Sequence, residues 1–340
     1  MTRSVPASLH HLAERQSGLV SARQAEAHGL TAPVRTRLCR SGTWSRVCRG
    51  VFDVDPTKPR DWSERGRRTA LTGLLRHGPT AAAVGTTALA LLGAEGLPST
   101  DTSQVAIYGT QWRRTPAPVA RATVAPATDV PSRDVEGSVS VVVRQFDSGM
   151  RTVLAGGFRV AAPEWALAQA VPELPHRNAV AVMDSMLRRR LIDGPGLERA
   201  HALARGRRGV ARTHEWWAEA DGRAESPLES FGRVDCIEHG VPPDDLQVEI
   251  LDGDGILLGR GDMGWRLDGG IWLLGELDGR DYHEAPKALL HDRSRQDLLL
   301  LHGGARLLRF TAREAAVPGL IARTVRRALD RWASAPARHL

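Results

Sequence analysis

The stretch Gly259–Phe310, GRGDMGWRLDGGIWLLGELDGRDYHEAPKALLHDRSRQDLLLLHGGARLLRF, reads as strand, tight turn, strand, helix, strand. Leu267-Asp268-Gly269-Gly270 carries the Asp-Gly hairpin signal between two apolar-rich runs. With Gly269 at the centre, Asp262 and Glu276 each lie seven residues away. Antiparallel pairing keeps the sum of partner numbers constant, so these carboxylates are expected to face each other. Alternation along a strand puts Asp278 on the same face as Glu276, and His283 follows shortly after. Like charges held so close are unfavourable unless a cation or a proton lies between them. That cost marks the hairpin as a candidate site.

Outward from this hairpin, 340 residues allow two or three domains with real cores. Charge is unevenly spread. Of 46 basic and 39 acidic residues, 13 and 6 fall in residues 1–68, leaving 33 of each in the rest. The whole basic excess therefore sits in the first fifth, where a polyanion is the natural partner. Only Lys58 and Lys287 are lysine, and that bias also fits a GC-rich genome. Cys39, Cys48 and Cys236 make no disulfide framework and no C-x-x-C pair, which points to a reduced, cytoplasmic protein. The start lacks the apolar core of a signal peptide. The run Thr80–Ala94 is too short to span a bilayer, so no membrane partner is expected.

Residues 1–60 read as a small helical DNA-binding module. Ala7–Gln16 is a first helix, and Ser21 with Gln24 opens a second as a capping box. Thr31 caps a third helix with Pro33 in its first turn, carrying Arg35, Arg37 and Arg40. The alternation of Trp44–Phe52 suits a short β-wing bearing Arg46 and Arg49. These are the parts of a winged helix-turn-helix, whose third helix enters the major groove of double-stranded DNA while the wing contacts phosphate. Such helical trios also serve as protein interaction modules. The segment Leu19–Phe52 resembles the N-terminal domain of AbiEi-type antitoxins, in which a G-x-W-x-R-V-x-R-G-V-[FY] wing follows a similar run. The resemblance implies a winged-helix DNA binder, often autoregulatory, and leaves open whether a cognate toxin is its partner.

Residues 61–210 read as an α/β middle domain. Helices are expected at 63–77, 86–92, 162–170, 177–191 and 197–205, and strands at 105–108, 119–124 and 139–143. Gly157–Val171, GFRVAAPEWALAQAV, resembles the middle region of the same antitoxin-like proteins. Asp184, inside an apolar helix, reads as a capped or paired carboxylate. The region is expected to act as a spacer or an interaction surface.

Residues 211–340 complete a multidomain α/β chain. Ser226 caps a helix with Pro227 at its first position and Glu229 at the capping-box position. A strand at 247–251, the turn Asp252-Gly253-Asp254-Gly255, the hairpin, a helix at 286–301 and a strand at 305–310 follow. The D-G-D-G turn lacks calcium-loop spacing, and Cys236 with His239 has no second pair for zinc. Helix, three antiparallel strands, helix, strand is the core order of restriction-endonuclease-like α/β/α folds. The segments Gly261–Trp265, Glu276–His283, Asp292–Leu299 and Gly303–Phe310 resemble a bacterial family allied to very-short-patch-repair endonucleases of the PD-(D/E)XK superfamily.

That resemblance implies Asp262 and Glu276 as ligands of magnesium or manganese, with Asp278 as a third ligand or an orienter of water. It also implies Glu229 as the superfamily's helix glutamate, His283 as a general acid/base or phosphate contact, and Arg293 and Arg295 as phosphate contacts. Asp278 stands where the superfamily has lysine, and Lys287 is the domain's only candidate replacement. Plainer readings stand beside these: Glu229 as a cap, His283 as a hydrogen-bonder, Asp278-Gly279 as a turn, and Arg293 paired with Asp297. Two functions follow: a metal-dependent endonuclease targeted by its own winged helix, for which cutting both strands favours a homodimer, or an antitoxin-like regulator with a silent nuclease-like domain.

Overall fold

The computed structural model describes residues 5–59, 62–100, 102–107, 139–144, 147–279 and 305–334. It is a mixed α/β chain with three separate sheets. Two compact units divide it, residues 1–93 with 98–170, and residues 94–97 with 171–340.

In the first unit, α1 (Ala7–Arg15) buries Leu9 and Ala13, one helical turn apart. Next come β1 (Leu19–Ser21), α2 (Ala22–Ala27), α3 (Ala32–Arg40), β2 (Ser45–Cys48) and β3 (Val51–Asp53). Ser21 and Gln24 form the expected capping box, the Ser21 amide donating to Gln24 Oε1 at 2.8 Å and the Gln24 amide to Ser21 Oγ at 3.2 Å. β2 and β3 pair antiparallel about Gly50, whose φ of 82° suits glycine alone. β1 is a finding: its three residues pair with β3, and the sheet order is β1-β3-β2. Leu9, Val20, Leu30, Trp44 and Phe52 close a core beneath that sheet.

The same unit continues with α4 (Trp62–His77), β4 (Ala81–Ala83), α5 (Gly85–Leu92), β5 (Thr102–Ile107), β6 (Ser140–Arg144), β7 (Thr152–Ala155), β8 (Phe158–Ala161) and α6 (Pro163–Ala170). The five strands lie in the order β6-β5-β4-β8-β7. The expected strand at 119–124 lies outside the described residues. β4 is an alanine triplet at the sheet centre, fully buried, with β5 on one side and β8 on the other. α4 packs so tightly on β5 that a Cβ on Gly73 would meet Ser103 Oγ at 2.3 Å. Arg68 of α4 pairs with buried Asp53 of β3 at 2.5 Å and also donates to the Ser17 carbonyl.

The second unit contains α7 (His176–Arg188), α8 (Gly194–Ala204), α9 (Pro227–Glu238), β9 (Asp245–Leu251), β10 (Leu257–Arg266), β11 (Trp272–Asp278), β12 (Ala305–Thr311), α10 (Ala312–Ala315) and α11 (Leu320–Ala333). Its sheet order is β12-β11-β10-β9, antiparallel except for the parallel pair β11 and β12. One face packs Met263, Trp265, Leu273, Leu277 and Phe310 against Cys236 of α9 and Ile321 and Val325 of α11. A Cβ on Gly232 would meet Leu277 at 2.6 Å, so glycine sets the closeness of α9 to β11. The other face gathers Val248, Ile250, Leu274 and Ala305. The helix expected at 286–301 lies outside the described residues. Among the described residues no helix is long and apolar enough to cross a membrane.

Candidate functional site

The turn after β10 forms as its residues require: Gly269 and Gly270 take φ of 78° and 75°, and the Leu267 amide donates to the Ile271 carbonyl at 2.8 Å. The register runs from Arg266↔Trp272 to Met263↔Gly275. One further step brings Asp262 opposite Glu276, the juxtaposition expected from a hairpin centred on Gly269. Asp262 Oδ2 accepts the Leu277 amide at 2.7 Å. Its other oxygen has no hydrogen-bond partner among the described residues.

Burial pushes the Asp262 carboxyl up to about 6, against the Leu277 hydrogen bond, and the negative charges of Glu229 and Glu276 add to the rise. Carboxylates from α9 and β11 thus act on the one from β10. Glu229 is buried, its Oε2 accepting the Glu225 amide at 2.7 Å and Gln247 Nε2 at 2.9 Å. It sits in the first turn of α9 without closing a capping box: Ser226 caps the Glu229 amide, but the Glu229 side chain turns to Glu225 and Gln247. Glu276 accepts Arg309 Nε at 3.1 Å from the neighbouring strand. Asp278 ends β11 on the Glu276 side and is exposed. Among the described residues, no group of three His, Cys, Asp or Glu converges closely enough to enclose a metal ion. His283, Lys287, Arg293 and Arg295 lie outside the described residues.

Gln247 and Arg309 belong to this cluster without having been in the expected set. Arg309 was discoverable in principle, since parallel pairing of β11 with β12 places it beside Glu276. Gln247 gave no comparable signal. It holds a φ of 54° inside β9, a strained conformation for a side-chain-bearing residue, and its Oε1 is buried without a partner. A cleft lined by Arg188, Gly222, Arg223, Glu225 and Gln247 opens beside it.

The basic module shows a division among its arginines. Arg37, Arg40, Arg46 and Arg49 are exposed. Arg35 is turned inward instead: it donates to the Leu30 carbonyl at 2.6 Å, pairs with Glu26 at 3.1 Å and lies 5.9 Å over the Phe52 ring. Its helix position faces the core, so its charge braces α2, α3 and β3, whereas Arg46, though exposed, also lies 5.8 Å over the Phe52 ring.

Residues 9–52 match the AbiEi_4 family, described as transcriptional regulator, AbiEi antitoxin. The exposed arginines of α3 and of the β2–β3 hairpin lie within that AbiEi-type segment. Two proteins of Mycobacterium tuberculosis, uncharacterized protein MT2308 and uncharacterized protein Rv2248, are each 32% identical to the chain over 183 residues. The match takes in 54% of this chain and 66% of each relative, so the chain spans just under two thirds of their length. The crystal structure of RV2827C protein from Mycobacterium tuberculosis is similar with a TM-score of 0.29 and 16% identity, over 64% of this chain and 83% of that one.

Proposed function

We propose that the chain is a DNA-binding regulator of AbiEi antitoxin type that also carries a metal-dependent endonuclease site of restriction-endonuclease-like kind. The family match of residues 9–52 supports the regulator part, with a winged helix presenting Arg37, Arg40, Arg46 and Arg49 to duplex DNA. The observation that carries the nuclease part is the half-buried Asp262 carboxyl, raised to about 6 by desolvation and by Glu229 and Glu276. Carboxylates so arranged need a proton or a cation between them, and their oxygens suit a hard ion such as magnesium or manganese.

In this reading Asp262 and Glu276 hold the ion and Asp278 is a third ligand or orients water. When bound, the ion supplies a hydroxide-like nucleophile at neutral pH and neutralises charge on the scissile phosphate. The Leu277 amide fixes one oxygen of Asp262 and leaves the other for the ion. Arg309 fixes Glu276, and Gln247 orients Glu229. Incubating supercoiled plasmid with magnesium or manganese tests the reading. The native chain is expected to nick it, and the Asp262→Ala, Glu276→Ala double variant is not; equal nicking by both sinks the nuclease.

A second reading has its own observation. Glu276 is already paired with Arg309, and no metal-enclosing trio converges among the described residues. A regulator with a silent nuclease-like unit fits those contacts. It predicts DNA binding without metal-dependent nicking, and a cognate toxin among its partners.

A further inference from the structure

The helix α11, Leu320–Ala333, is two-faced. Ile321, Ala322 and Val325 are buried in the sheet core, while Arg323, Arg327 and Arg331 recur every fourth residue on exposed positions. At about 1.5 Å rise per residue, successive arginines of this row stand about 6 Å apart along the helix. Arg326 lies beside the row, donating to the His239 carbonyl at 2.6 Å. Asp330 is the one acid on the face, and no ion pair joins it to any of these arginines among the described residues. From the adjoining strand, Arg306 stacks 5.8 Å over the Trp332 ring and extends the cationic surface.

Like charges four apart on a helix repel and weaken it. Arg331, in the last turn, gains from the helix dipole, but Arg323 lies in the first turn, where a cation is disfavoured. Arg323 offsets part of that cost by donating to the Pro318 carbonyl at 3.3 Å, but the repulsion along the row remains, so helix stability does not fully account for it. A ligand with regularly spaced negative charge does. We infer that α11 is a second nucleic-acid contact surface, which lies along the phosphate backbone of duplex DNA without reading its sequence. This rests on the DNA-binding part of the proposed function. An anionic membrane is the less suited partner, because the apolar side of α11 is already buried and leaves nothing to insert among lipids.

The test uses the full chain and a labelled duplex of arbitrary sequence, with binding followed by fluorescence anisotropy across a salt series. Each phosphate contact contributes about 0.9 to the slope of log affinity against log salt, so Arg323→Gln, Arg327→Gln, Arg331→Gln should lower the slope by about 2.7. The matching triple lysine variant should keep the slope, and circular dichroism should show both variants folded. The full chain with Arg37, Arg40, Arg46 and Arg49 all changed to Gln separates the two surfaces. If it still binds duplex, and binding disappears when the α11 changes are added, the inference holds even though the N-terminal reading is weakened. An unchanged slope in the α11 glutamine variant overturns the inference while leaving the N-terminal reading intact. Loss of binding to phosphatidylserine vesicles with no change on DNA also overturns it, as does absence of DNA binding by the full chain.

Discussion

Two carboxylates in the second unit, buried Asp184 and half-buried Asp262, are both made harder to ionise by desolvation, yet their surroundings are opposite. Asp184 on α7 accepts Ser230 Oγ and Arg233 Nη2, each at 2.6 Å, and the Asp221 amide at 2.7 Å. Burial raises its pKa, with Arg233 and these donors acting against the rise. Asp262 has one amide donor, and two more acids raise it further while Arg260 lowers it by less. The first carboxylate has its counter-charge built in and joins α7 to α9. The second is left with a deficit of positive charge. A buried acid completed by the chain is architecture; a half-buried acid crowded by acids calls for something from outside.

The largest expected effect comes from breaking the completed pair. Arg233→Ala leaves the Asp184 charge buried alone and is expected to cost about 3–5 kcal/mol in denaturant unfolding. Replacing both partners with Leu and Met should recover much of that loss. A cost of Arg233→Ala below about 1 kcal/mol would break the comparison, since it would make the pair no different from a surface bridge.

The opposite sign is expected at Asp262. Its folded pKa of about 6 lies above the ordinary 3.8, so its contribution to stability is present below about pH 4 and is lost as pH rises through about 6. Asp262→Asn escapes that loss and should stabilise the chain at pH 7.5 by about 1–2 kcal/mol, with no gain at pH 3.5. The same variant should lose any metal-dependent nicking. Native nicking should itself fall as pH drops through about 6, where a proton competes for the carboxylate. Thermal unfolding at the two pH values decides it; a neutral or destabilising Asp262→Asn at pH 7.5 would mean that the carboxylate is satisfied in the fold.

Much of this contrast was legible in the sequence. The Asp-Gly turn gives the hairpin register, and the register alone sets Asp262 opposite Glu276. Ser21 with Gln24, and Ser226 with Pro227, mark helix starts by local chemistry that needs no tertiary context. Asp184 reads as paired because an acid in an apolar helix must be, although its partner lies 49 residues away on α9. What escaped depends on neighbours. Ala81–Ala83 has no strand preference of its own and is a strand only because β5 and β8 flank it. β1 is too short to show alternation. β7 and β8 form a hairpin through Gly156 and Gly157 at a place where no strand was expected. Arg35 belongs by sequence with Arg37 and Arg40, and only the position of Phe52 and the Leu30 carbonyl turns it inward. The strained Gln247 is invisible to pattern, because its role comes from the approach of α9 to β9.

The smallest expected effect comes from a site that combines the two cases, a base between two acids. His176 opens α7 with Nδ1 2.7 Å from Glu238 and Nε2 2.7 Å from Glu219, its ring stacked 4.5 Å from Trp216. Partial burial favours the neutral ring, and so does the helix N-terminus, but hydrogen bonds to both carboxylates outweigh this and raise the pKa above 6.5. Arg212 lies on the same side, 5.8 Å over the Trp216 ring. As imidazolium, His176 donates to both acids. Its stabilisation is complete below about pH 6.5 and is lost as pH rises through the raised value. Glu238 is half exposed while His176 and Glu219 are largely covered, so screening acts on one of the two pairs and the loss should be about 1 kcal/mol. Native protein should therefore fall in Tm from pH 6 to pH 8.5 more steeply than His176→Gln, and the His176 ring protons should titrate above 6.5 by NMR. Parallel Tm curves, or a titration at or below 6.5, would show that the two acids do not act as its counter-charge. His176 would then resemble Asp262, a group whose charge the fold leaves uncompensated, rather than Asp184, whose partner the fold supplies.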